Sequence, residues 1–532
     1  MFEILGFSGY QLLIAIFTTL PLIYWYLTKN YNHWKKFGIN GPKPVLLLGN
    51  LMDRILYPMA KIDVDYVNKY GTIYGLYNGT DPVLHVAEPE VIKQILVKDF
   101  NRFTDRRHLK TEHPIINKNL FNSEGDDWKR LRTITSPTFT SGKMKQMYHL
   151  VRKCLQEYLD VLDELAESEQ PVDFKAMHQN LTMDVIASCA FATKTNAQKD
   201  PNNPFVVNGR AVFDFKAIKM IPAFLFPKFL NRLLGIRTNL NEKPNDYIFS
   251  LGRHMLDRRQ KGERNNDFLQ LLMNANADNN NNHNNNNKDV DKDVGESHHV
   301  NEGEDEIAAE KRMLNSTVIQ NKSLTEDEII AQSWLFLLAG FETTATAMGY
   351  ISYELAFNKE IQEKLYNEVS AIVDSDGEFK YEELQTLPYL DAVISESLRM
   401  YPPLTRLERI ASEPMKLGDT GIKLDKHQMI EIPVYAIHRS ERYHKNADRF
   451  TPERFLPENR KKLIPYSYLP FGTGPRNCIG MRFALMEIKL AIAHMVMRYR
   501  FKTCQQTERP IQYMNVTPLL TAKSITLSIE KR

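Results

Sequence analysis

Phe471-Gly-Thr-Gly-Pro-Arg-Asn-Cys478-Ile-Gly480 sets one cysteine among glycines, a proline and an arginine. An apolar pattern of helical period follows at once, from Met481 to about Arg498. A glycine-rich turn feeding a helix N-terminus surrounds the sulfur with free backbone N–H groups and the positive end of a dipole. That setting is expected to favour thiolate over thiol. A rigidly held thiolate with no metal-binding side chain beside it is a candidate single axial ligand for a haem iron. On this stretch alone the alternative is a buried cysteine in an ordinary turn, since free cysteine is among the most buried residue types.

The rest of the chain supplies the context. Its 532 residues, 43% hydrophobic and 10% aromatic, are ample for a large core. The formal charge of +3 is small for this size and gives no argument for nucleic-acid binding. Cys154, Cys189, Cys478 and Cys504 are not at CxxC spacing, so neither a zinc site nor a disulfide framework is indicated. Free thiols fit a reducing compartment.

From Ile4 to Thr28 no residue is charged, and Leu12 to Leu27 is dominated by large apolar side chains. A span needs ~20 mostly apolar residues, so residues 1–28 read as an uncleaved membrane anchor. Lys29, Lys35 and Lys36 follow it, which places the remainder in the cytoplasm. A cleaved signal peptide fits less well, because the run is long and lacks a basic leader and a small-residue cleavage site. Residues 29–44 form a basic and proline-containing hinge, ending in Gly41-Pro-Lys-Pro44. Residues 45–532 read as one catalytic domain.

Within that domain, Thr72 to Tyr77 and Val83 to Val86 read as strands split by a turn at Asn78-Gly-Thr-Asp. A helix is expected over Pro89 to Lys98, and helical spacing recurs over Val151 to Leu165 and Asp173 to Phe191. Trp128 and Arg132, four apart in a helical segment, share a face. They form either a grip for a carboxylate or propionate or a half-buried indole beside a solvated arginine. The proline-broken aromatic stretch from Met220 to Leu230 reads as core, as a lid over an apolar pocket or as a membrane contact, with lid plus membrane contact favoured in a chain already anchored. Residues 274–322, rich in asparagine and charge, read as a disordered insertion.

Thr325-Glu-Asp-Glu328 is a capping-box pattern that starts a helix running to about Phe357. At its middle, Ala339-Gly-Phe-Glu342-Thr343-Thr344 weakens the helix interior, and a threonine hydroxyl there can take over a backbone hydrogen bond. Glu342 and Thr343 read either as a tolerated polar patch or as a proton relay. Glu396 and Arg399, at i and i+3 in an apolar helix stopped by Pro402-Pro403, read as a structural clamp that Arg454 completes. Ile422 to Ile432 reads as paired short strands.

Four motifs in this order resemble a cytochrome P450. The cysteine loop matches the family's pattern at Phe471, Gly474, Arg476, Cys478 and Gly480. Ala339 to Thr343 is similar to its oxygen-binding helix, Glu396 and Arg399 with Arg454 to its ion-pair triad, and Trp128 with Arg132 to its propionate grip. The surroundings of Trp128 and Cys478 resemble the microsomal family 3 group, whose members oxidise drugs and steroids. The insertion and Lys426-His427 depart from that group.

The resemblance implies a mainly α fold with a smaller β portion (α+β) behind an N-terminal transmembrane helix. It implies haem b (iron-protoporphyrin IX) ligated by Cys478, with propionates held by Trp128, Arg132, Arg409 and Arg476. Thr343 and Glu342 would deliver protons, so that one oxygen atom of O2 enters a lipophilic steroid, fatty acid or xenobiotic. Electrons would come from NADPH through a flavoprotein reductase, with cytochrome b5 as a second partner, at the endoplasmic reticulum membrane. Lys129, Arg130, Lys143 and Lys145 are expected to form part of a basic docking face. Substrate contacts are expected in the 105–125 loop, the 205–230 region, Leu404 to Leu407 and around Pro518. Two rivals are an isomerase or dehydratase of oxygenated lipids, and a non-catalytic haem or lipid binder. Glu342-Thr343 argues against the first, which has no need to activate O2, and the complete set Cys478, Glu396, Arg399 and Thr343 argues against the second.

Overall fold

The computed structural model describes residues 9–107, 113–213, 241–281, 323–515 and 517–532, with single positions at 233, 305, 306, 308, 309 and 313. The aromatic stretch from Met220 to Leu230 lies outside the described residues.

Helix α1 covers Gly9–Thr28, contains Pro21 and exposes Phe17, Leu20, Tyr24 and Trp25. Among the described residues no helix is long and apolar enough to cross a membrane, in contrast to the expected transmembrane anchor. Helix α2 (Met59–Tyr70) precedes a hairpin of β1 (Ile73–Asn78) and β2 (Asp81–Val86). Gly79, at φ 62°, makes the reversal between them possible. The helical body follows with α3 (Gly125–Thr135), α4 (Ser141–Glu167), α5 (Phe174–Phe191), α6 (Glu242–Gln260) and α7 (Phe268–Asn281).

Helix α8 (Glu326–Phe357) is the long central element. Its capping box forms as the sequence predicts: the Glu328 backbone N–H donates to Thr325 Oγ1 at 3.3 Å and the Thr325 N–H to Glu328 Oε2 at 2.8 Å. Apolar residues surround it on nearly every side, so it is buried along most of its length. Helix α9 (Pro388–Met400) is buried throughout from Tyr389. Strands β3 (Leu407–Ile410) and β4 (Met429–Ile432) join the hairpin in a sheet of order β1-β2-β4-β3. In it β2 and β4 run parallel while the other pairs are antiparallel. Helix α10 (Met481–Arg498) leads into β5 (Tyr499–Lys502), which pairs with β6 (Thr526–Lys531). The architecture is mostly helical with a smaller sheet portion.

Two expectations change. Ile422 to Ile432 does hold two short strands, but they do not pair with each other. Lys423–Leu424 pairs with Met415–Lys416, and β4 is claimed by β2 and β3. The expected disordered insertion begins inside α7, which runs to Asn281. Further along, Asp305, Glu306, Ala308, Ala309 and Met313 are helical, with Ala309 and Met313 buried and Asp305 2.6 Å from Lys93. Apolar side chains at 309 and 313 share a helical face and give those positions something to bury. The remaining residues of 282–322 lie outside the described set, apart from these five positions.

Candidate active site

The cysteine loop is shaped by its glycines. Gly474, at φ 73°, sits against the backbone of the segment before Phe100, where a Cβ would lie 2.1 Å from the Leu96 carbonyl oxygen. Only glycine allows that approach. The Asn477 N–H donates to Gly474 O at 3.0 Å and the Cys478 N–H to Phe471 O at 2.9 Å, which closes the loop before α10 begins. Pro475 and Arg476 are buried, yet the Cys478 surface is open to solvent-sized space. The surrounding protein nonetheless desolvates the thiol, so Cys478 keeps accessible surface in a protein-crowded setting.

The local argument for a thiolate is outweighed here. Burial pushes the Cys478 thiol up, and the Gly480 backbone N–H, Arg132 and Arg106 pull it back without cancelling that. Desolvation penalises charge more than a few dipoles and partly distant guanidiniums repay. A bound metal ion would reverse the balance by deprotonating a coordinating thiol outright.

Four guanidiniums gather near the loop. Arg476 donates to Thr104 O, to Phe121 O at 3.1 Å and to Ser123 O at 2.7 Å, and lies 4.9 Å from the Trp128 ring centroid. Arg132 donates to Asn477 O at 3.0 Å and Asn477 Oδ1 at 2.6 Å. Trp128 and Arg132 thus both reach the cysteine loop from α3, the indole as a floor beneath Arg476 and the guanidinium as a tie to Asn477. Arg409, on β3, donates to Glu408 O at 2.7 Å. Arg106, which the sequence reading did not single out, donates to Arg476 O at 3.1 Å. In sequence it stands in the charged run Asp105-Arg106-Arg107, within the loop expected to contact substrate; only the tertiary fold reveals its place beside Arg476.

These cations repel one another. Burial, then Arg132, brings Arg106 down to about 10. Burial and Arg106 lower Arg409, and burial, Arg106 and Arg409 lower Arg476. The Nε groups of Arg409 and Arg476 are buried without a hydrogen-bond partner among the described residues. A concentrated positive cluster with unsatisfied donors calls for a bound dianion. Two propionates beside the Cys478 thiol meet that demand, so the residues present fit a haem.

Over the middle of α8, burial lapses at Leu335, Leu338, Ala339, Gly340 and Thr343, of which Leu335, Ala339 and Thr343 are four apart and share a face. Thr343 Oγ1 donates to the Ala339 carbonyl one turn back, the interior back-bond foreseen from sequence. The Glu342 carboxyl points elsewhere: Gln179 Nε2 on α5 donates to it at 2.7 Å. Burial pushes that carboxyl up, with Gln179, Lys175 and Thr521 opposing. Opposite this turn, Thr182 Oγ1 donates to Phe341 O at 2.9 Å, and a Cβ on Gly340 would lie 2.4 Å from Ile186 Cδ1. The two helices are in backbone-close contact at the site.

Behind the loop, Arg399 donates through Nε and Nη2 to the two Glu396 oxygens at 2.7 and 2.8 Å, and through Nη1 to His438 O at 2.8 Å. Glu396 also accepts from the Thr451 N–H at 2.9 Å and has Arg454 Nε 3.4 Å away. His438 passes the contact on, because the Leu469 N–H donates to its Nε2 at 2.8 Å just ahead of Phe471.

A family profile described as Cytochrome P450 matches residues 39–298 and 296–529. The chain is 34% identical over 519 residues to cytochrome P450 3A56 of Fundulus heteroclitus, covering 96% of this chain and 95% of the relative. It is 33% identical over 527 residues to cytochrome P450 3A14 of Cavia porcellus, covering 98% and 96%. It is 34% identical over 530 residues to cytochrome P450 3A11 of Mus musculus, again covering 98% and 96%. The chain belongs to the cytochrome P450 family. Its likeness is to family 3 members, and this P450 is a haem monooxygenase.

Three of the four residues expected in a basic docking face lie in ion pairs, and the Lys145–Glu382 pair is exposed at the surface. Lys129 pairs with Asp126 at 3.1 Å, Arg130 with Glu328 and Ser323 O, and Lys145 with Glu382. Of the four only Lys143 has no such contact recorded among the described residues. The 105–125 loop also departs from a pure substrate surface: Asp105 caps α3 through the Gly125 N–H at 2.8 Å, and Arg107 contacts Glu408. Residues 108–112 and 214–230 of the expected substrate segments lie outside the described residues.

Proposed function

We propose that Cys478 ligates the iron of haem b and that the P450 inserts one oxygen atom of O2 into lipophilic substrates of the steroid, fatty-acid or xenobiotic class. The observation that carries this reading is the accessible Cys478 beside a buried arginine cluster in which the Arg409 and Arg476 Nε groups have no hydrogen-bond partner among the described residues. Haem, when bound, supplies the oxygen activation that no side chain can perform. The protein's part is placement and proton supply. Arg106, Arg132, Arg409 and Arg476 hold the two carboxylates, with Trp128 as the floor under Arg476. The Gly480 N–H directed at the sulfur tempers its charge. Thr343 hydrogen-bonds at the open face of α8, and Glu342 is a buried carboxyl that keeps its proton to higher pH than an exposed one. A swing of Glu342 from Gln179 towards the open face would bring that proton to Thr343.

Electrons are proposed to come from NADPH through a membrane-bound flavoprotein reductase, with cytochrome b5 as a second donor. Helix α1, apolar and exposed at its aromatic end, is proposed to hold the chain at the endoplasmic reticulum membrane, with the domain on the cytoplasmic side. The test is the spectrum of the reduced protein with CO. A thiolate-ligated haem gives the far red-shifted Soret band, Cys478→Ala abolishes it, and a histidine-type spectrum or none overturns the reading. NADPH consumption with reductase and lipophilic substrates separates a monooxygenase from an isomerase, which needs neither.

A further inference from the structure

One row of ionisable residues crosses the four-stranded sheet at a single register. Tyr74 of β1 is opposite His85 of β2, His85 is beside Glu431 of β4, and Glu431 is opposite Glu408 of β3. Period-two alternation puts all four on one face. Two carboxylates directly opposite each other are destabilising unless cations intervene. Here they do. Glu431, fully buried, has Arg54 Nη2, Arg406 Nη1 and His85 Nε2 each at 2.9 Å, and Arg107 Nη2 at 3.5 Å. Arg107 also contacts Glu408, and Arg406 forks onto Asp63 of α2 at 2.5 and 2.6 Å. Burial lowers His85 and leaves it uncharged at neutral pH. Three arginines therefore balance three carboxylates.

The row is joined to the site through two dipeptides. Arg107 and Glu408 belong to the row, while their neighbours Arg106 and Arg409 belong to the arginine cluster around Cys478. The loop and strand carrying these dipeptides are also tied along the backbone: the Ile410 N–H donates to Asp105 O at 2.8 Å and the Ser412 N–H to Arg102 O at 2.9 Å. Arg106 and Arg409 repel each other in a buried setting, so something must hold them at a fixed separation.

We propose that Glu431 is the positioning residue of that frame: by holding Arg107, which in turn contacts Glu408, it fixes Arg106 and Arg409 at the spacing that receives the two propionates. This rests on reading those arginines as propionate partners.

The measurement is the rate of haem transfer from the full-length holoenzyme to excess apomyoglobin, with thermal unfolding recorded for each variant. Loss of such an outer support costs roughly 10–100-fold in retention of the bound group, so Glu431→Gln is expected to release haem about tenfold faster and Glu431→Asp to restore part of the retention. Arg409→Gln is the direct control. Asp267→Asn breaks an equally buried ion pair, with Arg259 at 2.7 Å, that includes no member of the row, and reports what lost stability alone does. If Arg409→Gln leaves release unchanged, the propionate reading fails and the proposal falls with it. If Arg409→Gln accelerates release and Glu431→Gln does not, the positioning role is wrong while the site reading stands. Equal release from Asp267→Asn and Glu431→Gln at equal unfolding temperature also overturns it. Should Glu431→Gln not fold, Arg107→Gln, whose side chain is 24% exposed and which links Glu431 to Glu408, takes its place with the same outcomes.

Discussion

Replacing Glu396 with alanine removes the carboxylate that Arg399 and Arg454 share. Both Glu396 and Arg399 are wholly buried, and breaking such a pair by deleting one partner costs about 3–5 kcal/mol, because the survivor is left charged and uncompensated. The structure says which deletion is worse. Without Glu396, Arg399 keeps only carbonyls, His438 O at 2.8 Å and Arg449 O at 3.4 Å, with the Arg454 cation nearby, and the Thr451 N–H loses its acceptor. Without Arg399, the carboxylate keeps the Thr451 N–H and Arg454. Glu396→Ala is therefore expected near the top of the range, about 5 kcal/mol, and Arg399→Ala near the bottom, about 3 kcal/mol. Joint replacement by apolar residues of similar size, Glu396→Leu with Arg399→Met, is expected to recover most of the loss, since apolar substitutes for buried ion pairs are often neutral. Urea unfolding of the holoprotein, followed by far-UV circular dichroism with refolding as the check on reversibility, gives the three values. An Arg399→Ala loss equal to or larger than that of Glu396→Ala, or a double variant no better than the singles, refutes the reasoning.

Glu487 is fully buried on α10 with neither carboxyl oxygen hydrogen-bonded among the described residues, and burial raises it well above the ordinary carboxyl range. The native state thus holds a proton that the unfolded chain releases, so stability should fall as pH rises from the unfolded carboxyl range towards the raised one. Glu487→Gln should flatten that slope and be more stable at pH 8 by about 1–3 kcal/mol; urea midpoints at pH 5 and pH 8 decide it. Gly340→Ala should cost about 1–3 kcal/mol through contact with Ile186 Cδ1, and Ile186→Val should relieve part of it; thermal scans of the single and double variants check this. Gly472→Ala and Gly474→Ala share the strain of positive φ, at 71° and 73°, but only Gly474 also meets a backbone oxygen. Gly474→Ala should be worse by about 1–3 kcal/mol, read as haem content after purification alongside unfolding midpoints.

What could be read in advance was local. The capping box at Thr325 and Glu328, the i, i+3 pairing of Glu396 and Arg399, the back-bond of Thr343 and the boundaries of α10 each depend on residues within one or two turns. Quantities that the whole fold sets were not readable. The protonation balance at Cys478 is decided by burial, which loop composition does not report. Arg106 acquires its place only through contact with Arg476, 370 positions away. The partners of Lys423–Leu424 and β4 depend on strands brought in from elsewhere, so adjacency in sequence misled. Glu342 and Thr343 are neighbours in the chain, yet a helix turns about 100° per residue, and the carboxyl ends up bonded to α5 while the hydroxyl stays at the open face.

The register row on the sheet also limits how this protein can be recombined. Its members come from five separate stretches of chain, around positions 54–63, 74–85, 107, 406–408 and 431. A chimera whose replacement β4 carries an uncharged residue at position 431, with β2 and the 406–408 segment left in place, would leave an odd buried charge behind. Crossover points for such hybrids therefore belong outside this group, and the residues of the row should be transplanted as one unit or left together.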